Sequence, residues 1–151
     1  MIVRLKAIGD KTGGPVLRQL IEQQIARADQ AIVAEDFDTL MGIYTDDAVL
    51  VVEPGIHARG KVEIRQAFEK IARYFQNGLQ VTQNGMAVLA SGDTALVLAN
   101  TVVSAPNHPA TERRATYVFN RSARGEWLCA IDNSYGHDEV MAQAIQSSTL
   151  R

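Results

Sequence analysis

The segment from Leu79 to Tyr135 constrains this chain most, because it reads as four long strand candidates in direct succession. Leu79 to Ala90, Thr94 to Ser104, Thr111 to Arg121 and Glu126 to Tyr135 are rich in β-branched and aromatic residues and are bounded by turn formers. Ser91-Gly92-Asp93 and Ser122-Ala123-Arg124-Gly125 suit tight hairpin turns, whereas Ala105 to Ala110, with its two prolines, predicts a looser connection. Gly85 inside the first candidate predicts a β-bulge, a common way to bend a sheet. Strands joined this closely pair antiparallel, and the sheet they form needs a cover for one of its faces.

The first half of the chain supplies that cover. From Val16 to Val33, Leu17, Leu20, Ile21, Ile25, Ala28 and Ile32 recur at helical spacing, with Arg18, Glu22, Gln23, Arg27 and Gln30 on the other side. Asp36 can cap a second, shorter helix whose buried stripe would be Phe37, Leu40, Met41 and Tyr44, ending near Thr45-Asp46-Asp47. Ala48 to Val52 reads as a short buried strand stopped by Glu53-Pro54-Gly55, and a loop with His57 and Arg59 follows. Lys61 to Gln76 carries a third amphipathic stripe, Ile64, Phe68, Ile71, Ala72 and Phe75, closed by Asn77-Gly78. Residues 1–15 read as a leader or edge segment, 16–147 as one domain with a last short helix or tail from His137, and 148–151 as a tail. Helices followed by a run of antiparallel strands define an α+β fold, and a bent sheet wrapped around helices has a concave face suited to a ligand.

Composition removes several function classes. A formal charge of −2 gives no field to gather nucleic acid or an anionic membrane, so neither is expected as a partner. Cys129 is the single cysteine, which excludes an intrachain disulfide and cysteine-based zinc clusters and suits a reducing, cytoplasmic setting. No stretch approaches the ~20 apolar residues of a transmembrane helix. The three histidines have no spacing of metal ligands, and no P-loop, dinucleotide fingerprint or serine nucleophile elbow occurs.

One block of residues carries a resemblance. Asp36-Phe-Asp-Thr-Leu-Met-Gly-Ile-Tyr-Thr-Asp-Asp-Ala-Val-Leu50, then Pro54-Gly55, then Arg59-Gly60-Lys-Val-Glu-Ile64 resembles the SnoaL-like and ketosteroid-isomerase-like proteins of the nuclear transport factor 2-like superfamily. Gly125-Glu-Trp127 and Ile131-Asp-Asn-Ser-Tyr-Gly136 resemble the same group, so the likeness runs over roughly residues 16–137. It implies a cone-shaped fold, with three helices in the concave face of a curved sheet, and a homodimer through the outer sheet face. It also implies a cofactor-free isomerase, dehydratase or cyclase, or a non-catalytic binding or oligomerisation module, because the scaffold hosts both.

Glu53 holds the position that the resemblance gives to a general base, a carboxylate just before a proline. A carboxylate in an apolar pocket has a raised pKa and can shuttle protons near neutrality. The solvent-facing alternative for an acid before Pro-Gly stays open. Of the isomerase oxyanion donors, the first-helix tyrosine falls on Ala28 and the protonated aspartate on Tyr117. Tyr117 is the candidate donor, and steroid isomerisation is not expected. Pairing across the Ser122–Gly125 turn, with facing residues summing to 247, sets Tyr117 against Ala130 and Arg113 against Ser134, so that Arg113, Tyr117, Asp132 and Ser134 share a face. With Tyr44 and His57 they form the candidate ligand-binding set, for a small, partly apolar metabolite with a polar or carboxylate group. An Arg113–Asp132 pair that only ties two strands would explain the same residues. A bulge or a three-residue turn would instead present Arg114, Thr116 and Asn133.

Overall fold

The computed structural model describes residues 14–142; the leader expected before Gly14 and the tail after Ala142 lie outside the described residues. Helix α1 (Gly14–Ala34) buries Ile21, Ile25 and Ala31, while Leu20, expected on the same stripe, is exposed. It ends where Glu35 takes a left-handed φ of 57° and the Asp36 N–H returns to the Ala31 carbonyl at 2.9 Å. Asp36 then caps α2 (Phe37–Met41) as expected, its carboxylate accepting from the Thr39 N–H at 3.2 Å and the Thr39 hydroxyl at 2.6 Å.

Helix α2 is shorter than its apolar stripe suggested. Gly42 closes it, and Ile43 and Tyr44 leave for the sheet, where the Ile43 carbonyl accepts from the Cys129 N–H at 2.8 Å. Tyr44 therefore opens strand β1 (Tyr44–Glu53) rather than closing a helix: pairing with the last strand outweighs local spacing. The segment read as a loop with His57 is strand β2 (Ile56–Arg59), folded back on β1. Helix α3 (Gly60–Tyr74) follows, buries Ile64, Ala67, Phe68 and Ala72, and receives the Arg59 N–H on Glu63 at 3.0 Å.

The four long strands form as β3 (Gln80–Ser91), β4 (Thr94–Ala105), β5 (His108–Arg121) and β6 (Trp127–Asn133). The sheet order is β2-β1-β6-β5-β4-β3, antiparallel except where β1 runs parallel to β6. The connection expected to be loose is a tight turn, since Ala105 already pairs with His108. Pro106 and Asn107 form its tip, where neither needs a ladder hydrogen bond. Gly85, at φ 105°, does mark a bulge: the β3–β4 register shifts between Gln83 and Met86. The inner face of β4 presents Ala95, Val97, Ala99 and Thr101, all buried, and the helices pack on this side through Ile21, Ile25, Leu40, Ile64 and Phe68.

The register of the last hairpin decides what faces the helices. Arg121 pairs with Trp127, which leaves an odd-length turn, Ser122 to Glu126, and by itself would invert the expected faces. The register then shifts once more, with Val118 opposite Ile131 but Phe119 opposite Cys129, so Ala130 is an extra residue on β6. The two one-residue offsets cancel. Tyr117 faces Asp132 rather than Ala130, yet the inward set remains Arg113, Tyr117 and Asp132.

After β6 the chain turns against β5. The Asn133 side chain accepts from the Tyr135 and Gly136 N–H groups at 3.0 Å each. Gly136 sits at φ 58°, where a β-carbon would come within 2.5 Å of the Arg114 carbonyl oxygen, so only glycine fits. This turn fixes Ser134 and Tyr135 beside the concave face. A helical stretch over 138–142 follows, and Glu139 from it accepts from the Gly55 N–H at 2.9 Å and pairs with His57.

Candidate functional site

Between α1, α3 and the concave face of the sheet lies a cavity of about 710 Å³, the size of a small-molecule site. Its walls are mostly apolar: Ile25 and Ile32 from α1, Phe68 and Ile71 from α3, and Val81 and Val103 from the sheet. Tyr74 and Phe75 at the end of α3 cluster with His108 from β5, with ring centroids 5.0–5.1 Å apart. All three line the cavity.

The structure brings all seven sequence candidates to this cavity: Glu53, Tyr117, Tyr44, His57, Arg113, Asp132 and Ser134. Their surroundings differ. Glu53 is exposed at the end of β1, so it lacks the apolar burial a carboxylate base requires. His57 is engaged by Glu139, whose pKa is held below the usual carboxylate range by the Gly55 N–H first and by His57 second. Arg113 donates to the Ser134 hydroxyl at 3.4 Å and lies 4.5 Å from the Tyr135 ring centroid, not against Asp132.

The desolvated acid chemistry gathers on the inner sheet face instead. Asp132 accepts the Tyr44 hydroxyl on Oδ2 at 2.5 Å, the length of a charge-assisted O–H···O bond. Burial pushes the Asp132 pKa up, and the Tyr44 hydrogen bond opposes it only in part. The Tyr44 phenol is raised well above its usual value by burial and by the Asp132 charge, so it stays protonated and remains a donor. Because Tyr44 occupies one carboxylate oxygen, Oδ1 is the one left for a ligand.

A second carboxylate completes the cluster, and sequence reading missed it. Asp29 of α1 lines the cavity, its pKa pushed from 3.8 to about 6 by burial first; the Gln83 hydrogen bond opposes this and the Asp132 charge adds to it. Gln83 donates to Asp29 at 3.0 Å and accepts the Thr101 hydroxyl at 3.1 Å. Thr101 has a single proton and spends it on Gln83, so the 3.2 Å contact between Tyr117 and Thr101 has Tyr117 as donor. The signal for Asp29 was an acid within two residues of the apolar positions Ala28 and Ala31, easily taken for part of the solvated side of the helix.

Cys129 is buried, and burial first and the Asp132 charge second push its thiol pKa well up, away from the thiolate form. Among the described residues no group of three or more His, Cys, Asp or Glu is placed to hold a metal ion. Among the same residues no helix is long and apolar enough to cross a membrane.

A six-stranded curved sheet packed on three helices, with Asp132 and Tyr44 paired in its concavity, has the nuclear transport factor 2-like fold. Residues 21–130 match the SnoaL-like domain model, and the chain belongs to that family. A nuclear transport factor 2-like protein with a cystatin-like fold from Novosphingobium aromaticivorans superposes with a TM-score of 0.69 at 20% identity, covering 93% of this chain and 97% of that one. A Catenulispora acidiphila protein in complex with S-DNPA gives a TM-score of 0.69 at 17% identity over 85% of this chain and 98% of that one. Aln2 from a Streptomyces species gives 0.69 at 16% identity, covering 85% and 96%. At these identities the likeness is one of fold. No curated protein sequence matches the chain.

Proposed function

We propose that this protein is a cofactor-free acid/base enzyme that moves a proton on a small, partly apolar molecule, by isomerisation, dehydration or cyclisation. The observation that carries the reading is Asp132, a carboxylate in a mostly apolar cavity with one oxygen fixed by Tyr44 at 2.5 Å. A desolvated carboxylate with a raised pKa is a stronger base than a solvated one, and Tyr44 orients it. Asp29, pushed up to about 6, exchanges a proton near neutrality and serves as the partner acid. Tyr117 can turn its O–H from Thr101 toward an oxygen that gains charge. Glu53 remains the second candidate for the base, at the exposed end of β1. The S-DNPA complex of the Catenulispora acidiphila protein supports small-molecule binding on this fold.

Capture of a ligand from a metabolite extract, with mass spectrometry before and after incubation, tests the proposal. An enzyme of this kind returns an isomer of the ligand, or a product lighter by one water. Recovery of unchanged ligand alone would favour a non-catalytic binding module.

The outer face of the sheet supports a homodimer. Val49, Ile131, Val118, Leu96 and Leu89 are successive cross-strand neighbours, an apolar row over five strands, and Leu89 and Ile131 are exposed. A face of this kind, covered by a second copy, would bury the roughly 800 Å² per partner of a standard interface. Sedimentation should show a dimer that Ile131→Lys converts to monomer. A monomeric wild-type protein would refute the assignment.

A further inference from the structure

We infer that Arg113 forms an anion subsite and that the cavity takes a partly apolar carboxylate, with its carboxylate on Arg113 and its hydrocarbon body against the apolar walls. The inference rests on the reading of this cavity as the functional site and adds the chemical class of what enters it.

The first observation is the state of Arg113. It is half-buried on the inner face of β5 and lines the cavity. Arg18, Arg65 and Arg121 each sit against a carboxylate, but among the described residues no carboxylate lies within 4.0 Å of Arg113. The natural partner would have been Asp132, two residues from Ser134, and Asp132 is committed to Tyr44. Arg113 is nevertheless held in place: Ser134 accepts one N–H and the Tyr135 ring lies against the guanidinium. A guanidinium fixed by stacking, with most of its five donors unspent, matches the two oxygens of a carboxylate.

The second observation concerns the neighbours of Arg113 on the sheet. Arg113 pairs with Thr101 between β5 and β4, and Thr101 reaches Tyr117 at 3.2 Å and Gln83 at 3.1 Å, so Arg113 flanks the network that ends on Asp29. Asp29 and Asp132 line the same cavity and disfavour a ligand carboxylate placed against them, which makes Arg113 a favourable contact for it. Ile25, Ile32, Phe68, Ile71 and Val103 line the cavity too, which suits a hydrocarbon body. The other charged or titratable lining residues are Glu53 from β1, His57 from β2, Glu63 and Lys70 from α3 and His108 from β5, so cations and carboxylates both remain around the subsite.

Equilibrium binding of 2-naphthoate and its neutral analogue 2-naphthamide, followed by calorimetry, tests this directly. Wild-type protein should bind the acid at least tenfold more tightly than the amide. Arg113→Gln should erase that preference while leaving amide affinity unchanged, and the unchanged amide affinity shows that the variant is folded. Arg113→Lys, which keeps charge and loses the fork, should fall between. Equal binding of the two probes to wild type, a preserved preference in Arg113→Gln, or no binding of either probe would each overturn the inference. The measurement involves no turnover. Asp132→Asn should bind 2-naphthoate at least as well as wild type, so loss of the anion subsite and loss of the catalytic reading give different results.

Discussion

Asp29→Asn is expected to stabilise the folded protein by about 2–3 kcal/mol near pH 7 and to change it little near pH 4. The Asp29 pKa rises from 3.8 in the unfolded chain to about 6 in the folded one, chiefly through burial. Folding therefore takes up a proton between those values, and the stability that the neutral carboxyl confers is complete below the lower one. It is lost as pH rises through the upper one. Two pKa units correspond to about 3 kcal/mol, reduced somewhat because the side chain keeps partial access to the cavity. Urea denaturation of wild type and variant over this pH range isolates the effect, since other titrating groups are common to both. A variant less stable than wild type at neutral pH would show that the ionised carboxylate is well compensated where it sits. An acid that destabilises its own fold at working pH is expected where chemistry, not packing, requires it.

Asp132→Asn carries the largest expected effect on activity, a loss of about 10²- to 10⁴-fold in kcat on the captured ligand. The amide can still accept the Tyr44 hydroxyl, so the fold and the cavity should persist while the proton acceptor is gone. Tyr44→Phe should cost less, because it removes only the group that orients the base. Glu53→Gln separates the two candidate bases: on this account it keeps most activity, since Glu53 is exposed. Loss of turnover in Glu53→Gln with full activity in Asp132→Asn would move the base to the cavity rim.

The fold was legible because its signals are local and periodic. Ile21 and Ile25 in α1, Ile64 and Phe68 in α3, the Asp36 cap and the Gly85 bulge all declare themselves through spacing or backbone chemistry. What escaped was non-local. Tyr44 has helical spacing from Leu40, and only its parallel pairing with Cys129 makes it part of a strand. The inward set of the last hairpin was anticipated although its register was not, because an odd-length turn and the extra Ala130 offset one another. The extra Ala130 has no glycine to announce it, and Gly125, at φ 84°, marks the turn without fixing its length. Asp29 was illegible for a related reason: one turn of helix does not reveal that Gln83, fifty-four residues later, will meet its carboxylate. The seven candidates all reach the cavity, but they differ in exposure: Glu53 is exposed at the end of β1, and Asp132 on β6 is half-buried and bonded to Tyr44.

Hydrogen–deuterium exchange shows whether the Asp132–Tyr44 pair moves a proton on a bound carbon acid. The captured ligand is incubated with protein in deuterium oxide, recovered and weighed by mass spectrometry. Deuterium should appear on carbon with wild-type protein and little or none with Asp132→Asn, even where net conversion is too slow to see. Ligand that binds wild-type protein yet returns without carbon-bound deuterium would contradict proton transfer by this pair.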